Sequence, residues 1–121
     1  MKKILIVDDD EDLVDIVKRI LIFNEFEVHT HSSALDVPDV VKRYNPDLIL
    51  LDIRLYGKSG TDICRELKRR YHLPIILFSA DKIKGKDFAS CEADGFLSKP
   101  FDIDDLLNII REHLEPFKEM A

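Results

Sequence analysis

The 121-residue chain reads as an α/β protein, a five-stranded parallel sheet sandwiched between helices, and two observations carry that reading. Short strand-like runs near 4–7, 26–30, 48–51, 74–78 and 95–98 alternate with segments whose apolar residues recur at helical spacing. Such alternation makes a parallel sheet, and right-handed crossovers then require helices on both faces. The run Leu48-Ile-Leu-Leu51, bounded by Pro46 and Gly57, is apolar at every position and so is a strand buried on both faces. It ends on Asp52. Open α/β sheets place their ligands beyond the carboxyl ends of the strands, so Asp52 is a carboxylate delivered to a candidate site.

Ile4 to Val7 form the first strand, followed by the acidic run Asp8-Asp-Asp-Glu-Asp12. Leu13, Ile16, Val17, Ile20 and Leu21 then recur as the inner stripe of a helix, with Asp15, Lys18 and Arg19 opposite. Acids in a first helical turn also suit its positive end, an ordinary explanation of the run. Phe26, Val28 and Thr30 alternate with Glu27, His29 and His31, a half-exposed edge strand. The two histidines lack a third ligand and are expected to be solvated. Asp36 is expected to cap a short helix over 37–44, with Pro38 in its first turn. After the Asp52 strand, Gly57-Lys58-Ser59-Gly60 makes a turn, and Ser59 caps a helix running to Tyr71 with Ile63, Cys64 and Leu67 inward. Pro74 to Phe78 is a fourth strand closing on Ser79-Ala80. The segment 81–91 is interrupted by Gly85 and has only Ile83, Phe88 and Ala89 to face inward, which predicts a short or frayed helix. Gly95 to Ser98 is the last strand. Asp102 caps a fifth helix with Ile103, Leu106, Leu107, Ile110 and Leu114 at helical spacing.

Hydrophobic residues at 45% and charged residues at 35% fit one globular domain over 1–121. A net charge of −6 disfavours non-specific binding to nucleic acid or to anionic membranes. No apolar stretch reaches the length of a membrane span, and Met1 to Val7 is too short for a signal peptide. Cys64 and Cys91 lie in separate helical segments without a CxxC spacing and read as reduced core thiols, which places the chain in the cytoplasm.

A parallel sheet gathers Asp8 and Asp9, Asp52, Ser79 and Lys99 at one edge. Each has an ordinary alternative: helix caps for the acids, a turn hydroxyl for Ser79, a surface charge for Lys99. Jointly they make a coherent site. Three crowded carboxylates repel one another and need a cation. Oxygen ligands with room for water suit Mg²⁺, with Mn²⁺ as a substitute, better than zinc. A carboxylate beside that ion can attack phosphorus and form an acyl phosphate, while Lys99 and the Ser79 hydroxyl neutralise the transferring oxygens.

The sequences Ile-Leu-Ile-Val-Asp-Asp-Asp at 4–10, Pro-Asp-Leu-Ile-Leu-Leu-Asp at 46–52, Gly57-Lys-Ser-Gly60, Pro-Ile-Ile-Leu-Phe-Ser-Ala at 74–80 and Asp-Gly-Phe-Leu-Ser-Lys-Pro-Phe at 94–101 carry a resemblance. In order and spacing they resemble the receiver domain of two-component response regulators, across essentially the whole chain. The resemblance implies a flavodoxin-like (βα)5 three-layer sandwich with strand order 2-1-3-4-5, an order known from a receiver. It implies that Asp52 accepts a phosphoryl group from the phosphohistidine of a sensor histidine kinase or phosphotransfer protein. Asp8, Asp9, Asp52 and the backbone carbonyl of Arg54 would hold Mg²⁺. Ser79 and Lys99 would contact the phosphoryl group, with Lys99-Pro100 a cis peptide. Ser79 and Phe96 would act as the switch, changing the surface of the fourth helix, fifth strand and fifth helix. The resemblance implies a phosphoprotein signalling domain rather than an enzyme with its own substrate, and a second copy of the chain as a phosphorylation-linked partner. The downstream target is not legible.

The chain departs from the family pattern in places. Tyr56 stands where many receivers have proline, the interval from Ser79 to Lys99 is slightly short, and Glu92 takes a place usually held by glycine. Phe96 lacks a hydroxyl at the switch position. Arg54, Ala80 and Asp81 flank the phosphorylation site, and an Arg54–Asp81 pair across its mouth would limit access of water. Two other readings compete. A receiver-like interaction module would keep the fold without being phosphorylated. A haloacid-dehalogenase-type phosphatase would use Asp8 as nucleophile and Asp10 as acid/base, but a helical pattern begins at once after these acids and leaves no room for the loops that family inserts. A P-loop at Lys58-Ser59 fails because its first glycine would fall on Asp52.

Overall fold

The structure, a computed structural model, describes residues 1–55, 58–79 and 91–114. Its elements in chain order are β1 (Lys3–Val7), α1 (Glu11–Phe23), β2 (Glu27–His31), α2 (Val37–Tyr44), β3 (Leu48–Asp52), β4 (Arg54–Leu55), β5 (Lys58–Ser59), α3 (Gly60–Arg70), β6 (Ile75–Ser79), β7 (Gly95–Ser98) and α4 (Ile103–Leu114). Helix α4 is the fifth helix of the sequence reading. The main sheet has the order β2-β1-β3-β6-β7, and every pairing in it is parallel. Counted among these five strands alone, the order is 2-1-3-4-5, as expected. The residues following Asp52 fold into a separate antiparallel pair, β4 with β5, in which Arg54 faces Ser59.

Strand periodicity divides the core into two. Leu5, Val7, Ile49, Leu51, Ile75 and Leu77 face α2 and α3, which contribute Val37, Val40, Val41, Ile63, Cys64 and Leu67. Their alternates Ile4, Ile6, Leu48, Leu50, Ile76 and Phe78 face α1 and α4, which contribute Val17, Leu21, Leu106, Leu107 and Ile110. Because β1, β3 and β6 are covered on both sides, their residues carry no polar alternation. The result is the expected three-layer sandwich. The two cysteines are free and buried, the Cys64 thiol donating to the Cys91 carbonyl at 3.4 Å.

Helix starts follow the caps in three cases. Leu13 N–H donates to Asp10 Oδ1 at 3.3 Å, Thr61 N–H to Ser59 Oγ at 3.2 Å, and Asp105 N–H to Asp102 Oδ1 at 2.8 Å. Asp36 is a correction: it holds the position before α2 but makes no side-chain cap, and its backbone is left-handed at φ 63°. A capping residue has an extended backbone, which the left-handed Asp36 does not, and Pro38 at the second helical position removes one of the two amides a cap engages. The expected inner stripes are also narrower than drawn. Ile16 is 57% exposed and Ile103 52%, because both lie on helix shoulders along the α1–α4 groove rather than against the sheet. Glu92 has φ 62°, the left-handed conformation for which glycine is the natural occupant. Tyr56, Ala80, Asp81 and the expected short helix after it lie outside the described residues.

Candidate functional site

The site is built where β1, β3 and β7 end. Asp8 follows β1 with its amide donating to His31 O at 3.1 Å, which extends the strand pairing by one residue and fixes the carboxylate's direction. Its Oδ1 accepts the Asp10 N–H at 2.9 Å, and the residue is 2% exposed. Asp52 closes β3 opposite Phe78 and is 5% exposed. Asp9 lies beside them at the surface. One carboxylate oxygen from each of Asp8, Asp9 and Asp52 fits within 4.8 Å. Among the described residues this is the only group of three or more acidic, histidine or cysteine side chains that could share an ion.

Lys99 supplies the positive charge. Leaving β7, it places Nζ 3.1 Å from Asp8 Oδ2 and 3.7 Å from Asp52 Oδ1, and 4.8 Å from the centre of the Phe78 ring. Phe78 in turn meets Phe101 edge to face at 6.3 Å, so the ring under Lys99 is itself held. The expected cis peptide at Lys99-Pro100 is present.

These surroundings raise the Asp52 carboxyl from its ordinary 3.8 to about 6. Burial is the first cause, and the neighbouring Asp8 charge adds to it. Lys99 and a hydrogen bond from the Arg54 backbone N–H oppose the rise. Near neutral pH the side chain is ionised but held uncomfortably, which favours any cation or transferable electrophile that relieves the crowding. Oxygen donors, a charge excess and an open side at Asp9 fit a small hard cation such as Mg²⁺.

The backbone of Ser79 pairs with Ser98 on the strand beside Asp52; its hydroxyl, with Ala80 and Asp81, lies outside the described residues. Phe96 is half-buried and packs on the α2–α3 side of the core. Arg54 is exposed, and its expected pairing with Asp81 likewise lies outside the described residues. Asp10, the acid/base of the phosphatase reading, already caps α1 through its carboxylate. His29 stacks on Tyr44 with ring centres 4.9 Å apart, and His31 Nε2 lies 2.8 Å from Leu35 O, so neither belongs to the site.

Gly60 is the residue that sequence reasoning undervalued. A Cβ there would meet the Asp52 carbonyl oxygen at 2.1 Å and Ile53 Cα at 2.8 Å. Its N–H donates to Ile53 O at 2.8 Å. The first residue of α3 therefore packs directly against the backbone that carries Asp52. Its glycine signal was readable as a turn, whereas the contact arises only when β3 and α3 meet.

The chain's relatives agree with this geometry. Residues 4–111 match the response regulator receiver domain family model. The BeF3-activated N-terminal receiver domain of Klebsiella pneumoniae RstA is similar at 30% identity and TM-score 0.87, covering 93% of this chain and 98% of that one. A CheY-like response regulator receiver domain protein from Methanospirillum hungatei JF-1 is similar at 29% identity and TM-score 0.89, covering 100% and 99%. The signal receiver domain of a response regulator from Bermanella marisrubri is similar at 28% identity and TM-score 0.84, covering 93% and 97%. The fold, the carboxylates at the sheet edge and these matches together place the chain in the response regulator receiver domain family.

Proposed function

We propose that the chain, as one domain over 1–121, is a phosphoryl acceptor of a two-component pathway, with Asp52 the residue modified. The observation that carries this reading is a buried carboxylate at the end of the central strand, with the Lys99 ammonium 3.7 Å away and two further carboxylates beside it. An Asp52 oxygen attacks the phosphorus of a phosphohistidine, the P–N bond breaks as the P–O bond forms, and the imidazole leaves with its electron pair and is protonated. Asp8, Asp9, Asp52 and the Arg54 carbonyl would hold Mg²⁺, which when bound neutralises charge on the transferring oxygens. Lys99 does the same from the other side, and its contact with Asp8 keeps it aimed there before any phosphoryl group arrives. Ser79 donates its hydroxyl to the phosphoryl group, and Phe96 follows it inward by packing alone. The population thereby shifts toward a conformer with a changed surface around β7 and α4. Arg54 at the mouth, with Ala80 and Asp81, sets the access of water and so the lifetime of the acyl phosphate. The partner is a histidine kinase or phosphotransfer protein and the setting the cytoplasm. No helix among the described residues is long and apolar enough to cross a membrane.

The test is intact mass after incubation with acetyl phosphate, with and without Mg²⁺, on the wild type and on Asp52→Asn. A single Mg²⁺-dependent phosphoryl adduct that is lost in the variant is the expected result. A folded wild type that acquires no adduct, or a variant that still acquires it, overturns the assignment; the first outcome favours an interaction module that keeps the fold alone.

A further inference from the structure

The register of the sheet lines up more than the acidic residues. Asp52 is paired with Phe78 on β6, and Val7 with Leu51, so that Asp8 follows β1 beside Asp52. Two residues back on each strand, Ile6, Leu50 and Ile76 all point to the α1–α4 side, and Phe78 itself belongs to that half of the core. Side chains alternate along a strand, so Asp8, Asp52 and Phe78 form one row across three neighbouring strands on one face. Lys99 enters from the far side of this row, just after β7, where Leu97 is paired with Phe78. Because β6 lies between β7 and β3, the Lys99 side chain crosses Phe78 to bring Nζ 3.1 Å from Asp8 Oδ2 and 3.7 Å from Asp52 Oδ1.

The crossing brings the ammonium over the Phe78 ring, 4.8 Å from its centre. The Lys99 side chain is only 19% exposed, so its charge has lost most of its water and needs other partners. The two carboxylates supply one side of its surroundings and the ring face supplies another. An aromatic face attracts a cation without hydrogen-bond direction and without a charge of its own. A carboxylate in that place would add a fourth negative charge to three, and an aliphatic side chain would offer the ammonium nothing. Phe78 is 2% exposed, and Phe101 meets it at 6.3 Å with the ring planes 70° apart, so the face turned to Lys99 is fixed. Phosphoryl transfer requires the ammonium to exchange a carboxylate for a phosphoryl oxygen. A non-directional partner stays in contact through such an exchange, whereas a hydrogen-bond acceptor would have to be released.

We propose that Phe78 is a positioning residue for phosphoryl transfer, its ring face holding the Lys99 ammonium over Asp8 and Asp52 and keeping it there as its contact passes from Asp8 to the phosphoryl oxygens. The proposal rests on Asp52 being the phosphoryl acceptor.

The test replaces Phe78 alone by mono-, di- and trifluorophenylalanine, which keep the shape of the ring close to the original while progressively cancelling the negative potential of its face. Adduct formation from acetyl phosphate at saturating Mg²⁺, followed by intact mass, is expected to slow at each step, reaching about threefold to tenfold with the trifluoro ring. Phe78→Leu, apolar but without a π face, is expected to be at least as slow. A role in packing alone would not follow the number of fluorines. Urea denaturation in a chelator supplies a readout that needs no phosphoryl group. There the trifluoro ring is expected to lower the folding equilibrium constant about threefold in the otherwise wild-type chain and to leave it unchanged in Lys99→Met. Phosphorylation at a rate indifferent to fluorination overturns the proposal while leaving Asp52 as the acceptor, and so does an equal cost in urea with and without the Lys99 ammonium. A wild type that takes no adduct overturns the acceptor reading itself, and with it any part for the ring in transfer.

Discussion

Replacing Asp52 by asparagine should make the metal-free protein more stable. In the fold its carboxyl titrates near 6, against 3.8 in an ordinary setting, chiefly because β3 buries it and Asp8 faces it. Ionising it in place at pH 7 therefore costs roughly 3 kcal/mol, taking 1.36 kcal/mol for each tenfold step in proton affinity. Between about pH 4 and pH 6 the unfolded chain has given up this proton while the folded chain still holds it. The folded state then binds more protons, so this group makes stability fall as pH rises through that window, and the loss is complete above it. The amide of Asp52→Asn has no such titration. Urea denaturation of both proteins in a chelator, at pH 5 and pH 7, should give the variant an advantage of up to about 3 kcal/mol at pH 7 that is smaller at pH 5. Mg²⁺ should narrow the gap at pH 7 by stabilising only the wild type. Equal stabilities at pH 7, or an advantage that does not change with pH, would refute the account of Asp52 as a crowded, buried charge.

Gly60→Ala should cost about 3 kcal/mol or more, because the added methyl would sit 2.1 Å from the Asp52 carbonyl oxygen with backbone on both sides. It should also lower the yield of phosphoryl adduct in the fraction that remains folded, since relief requires moving the backbone of Asp52; calorimetry and intact mass on the same sample check both. Glu92→Gly should act in the opposite sense, stabilising by about 1 kcal/mol by removing a Cβ from a left-handed residue at φ 62°. A melting temperature unchanged or lowered in Glu92→Gly would show that the Glu92 side chain contributes more than its backbone costs.

Much of this molecule was legible because its information is local. A uniformly apolar run such as Leu48 to Leu51 has few alternatives to a doubly covered strand, and α3 starts where its Ser59 cap requires, although it stops at Arg70, one residue before the expected Tyr71. Asp8, Asp9, Asp52 and Lys99 could be gathered on paper because a parallel sheet sends every strand's carboxyl end to one side. The cap at Asp36 fails for an equally local reason, a left-handed backbone in place of the extended one a cap needs, with a proline two residues on that removes one of the amides to be capped.

What the pattern of residues could not decide is how elements approach one another. Ile16 and Val17 satisfy the helical period equally well, yet Val17 is buried and Ile16 is not, since the way α1 lies on the sheet turns Val17 into the core and leaves Ile16 on the shoulder beside α4. The same holds at Gly60, whose necessity is a close approach of α3 to β3. It holds also at Asp52, whose raised proton affinity depends on burial and on Asp8, 44 residues away along the chain but beside it at the sheet edge. Sequence by itself determined the kinds of element, their order and the residues at the strand ends, because backbone periodicity and sheet polarity are short-range rules. Tertiary structure alone decided exposure, close contact and charge state, because each depends on distances between segments that the chain brings together only on folding.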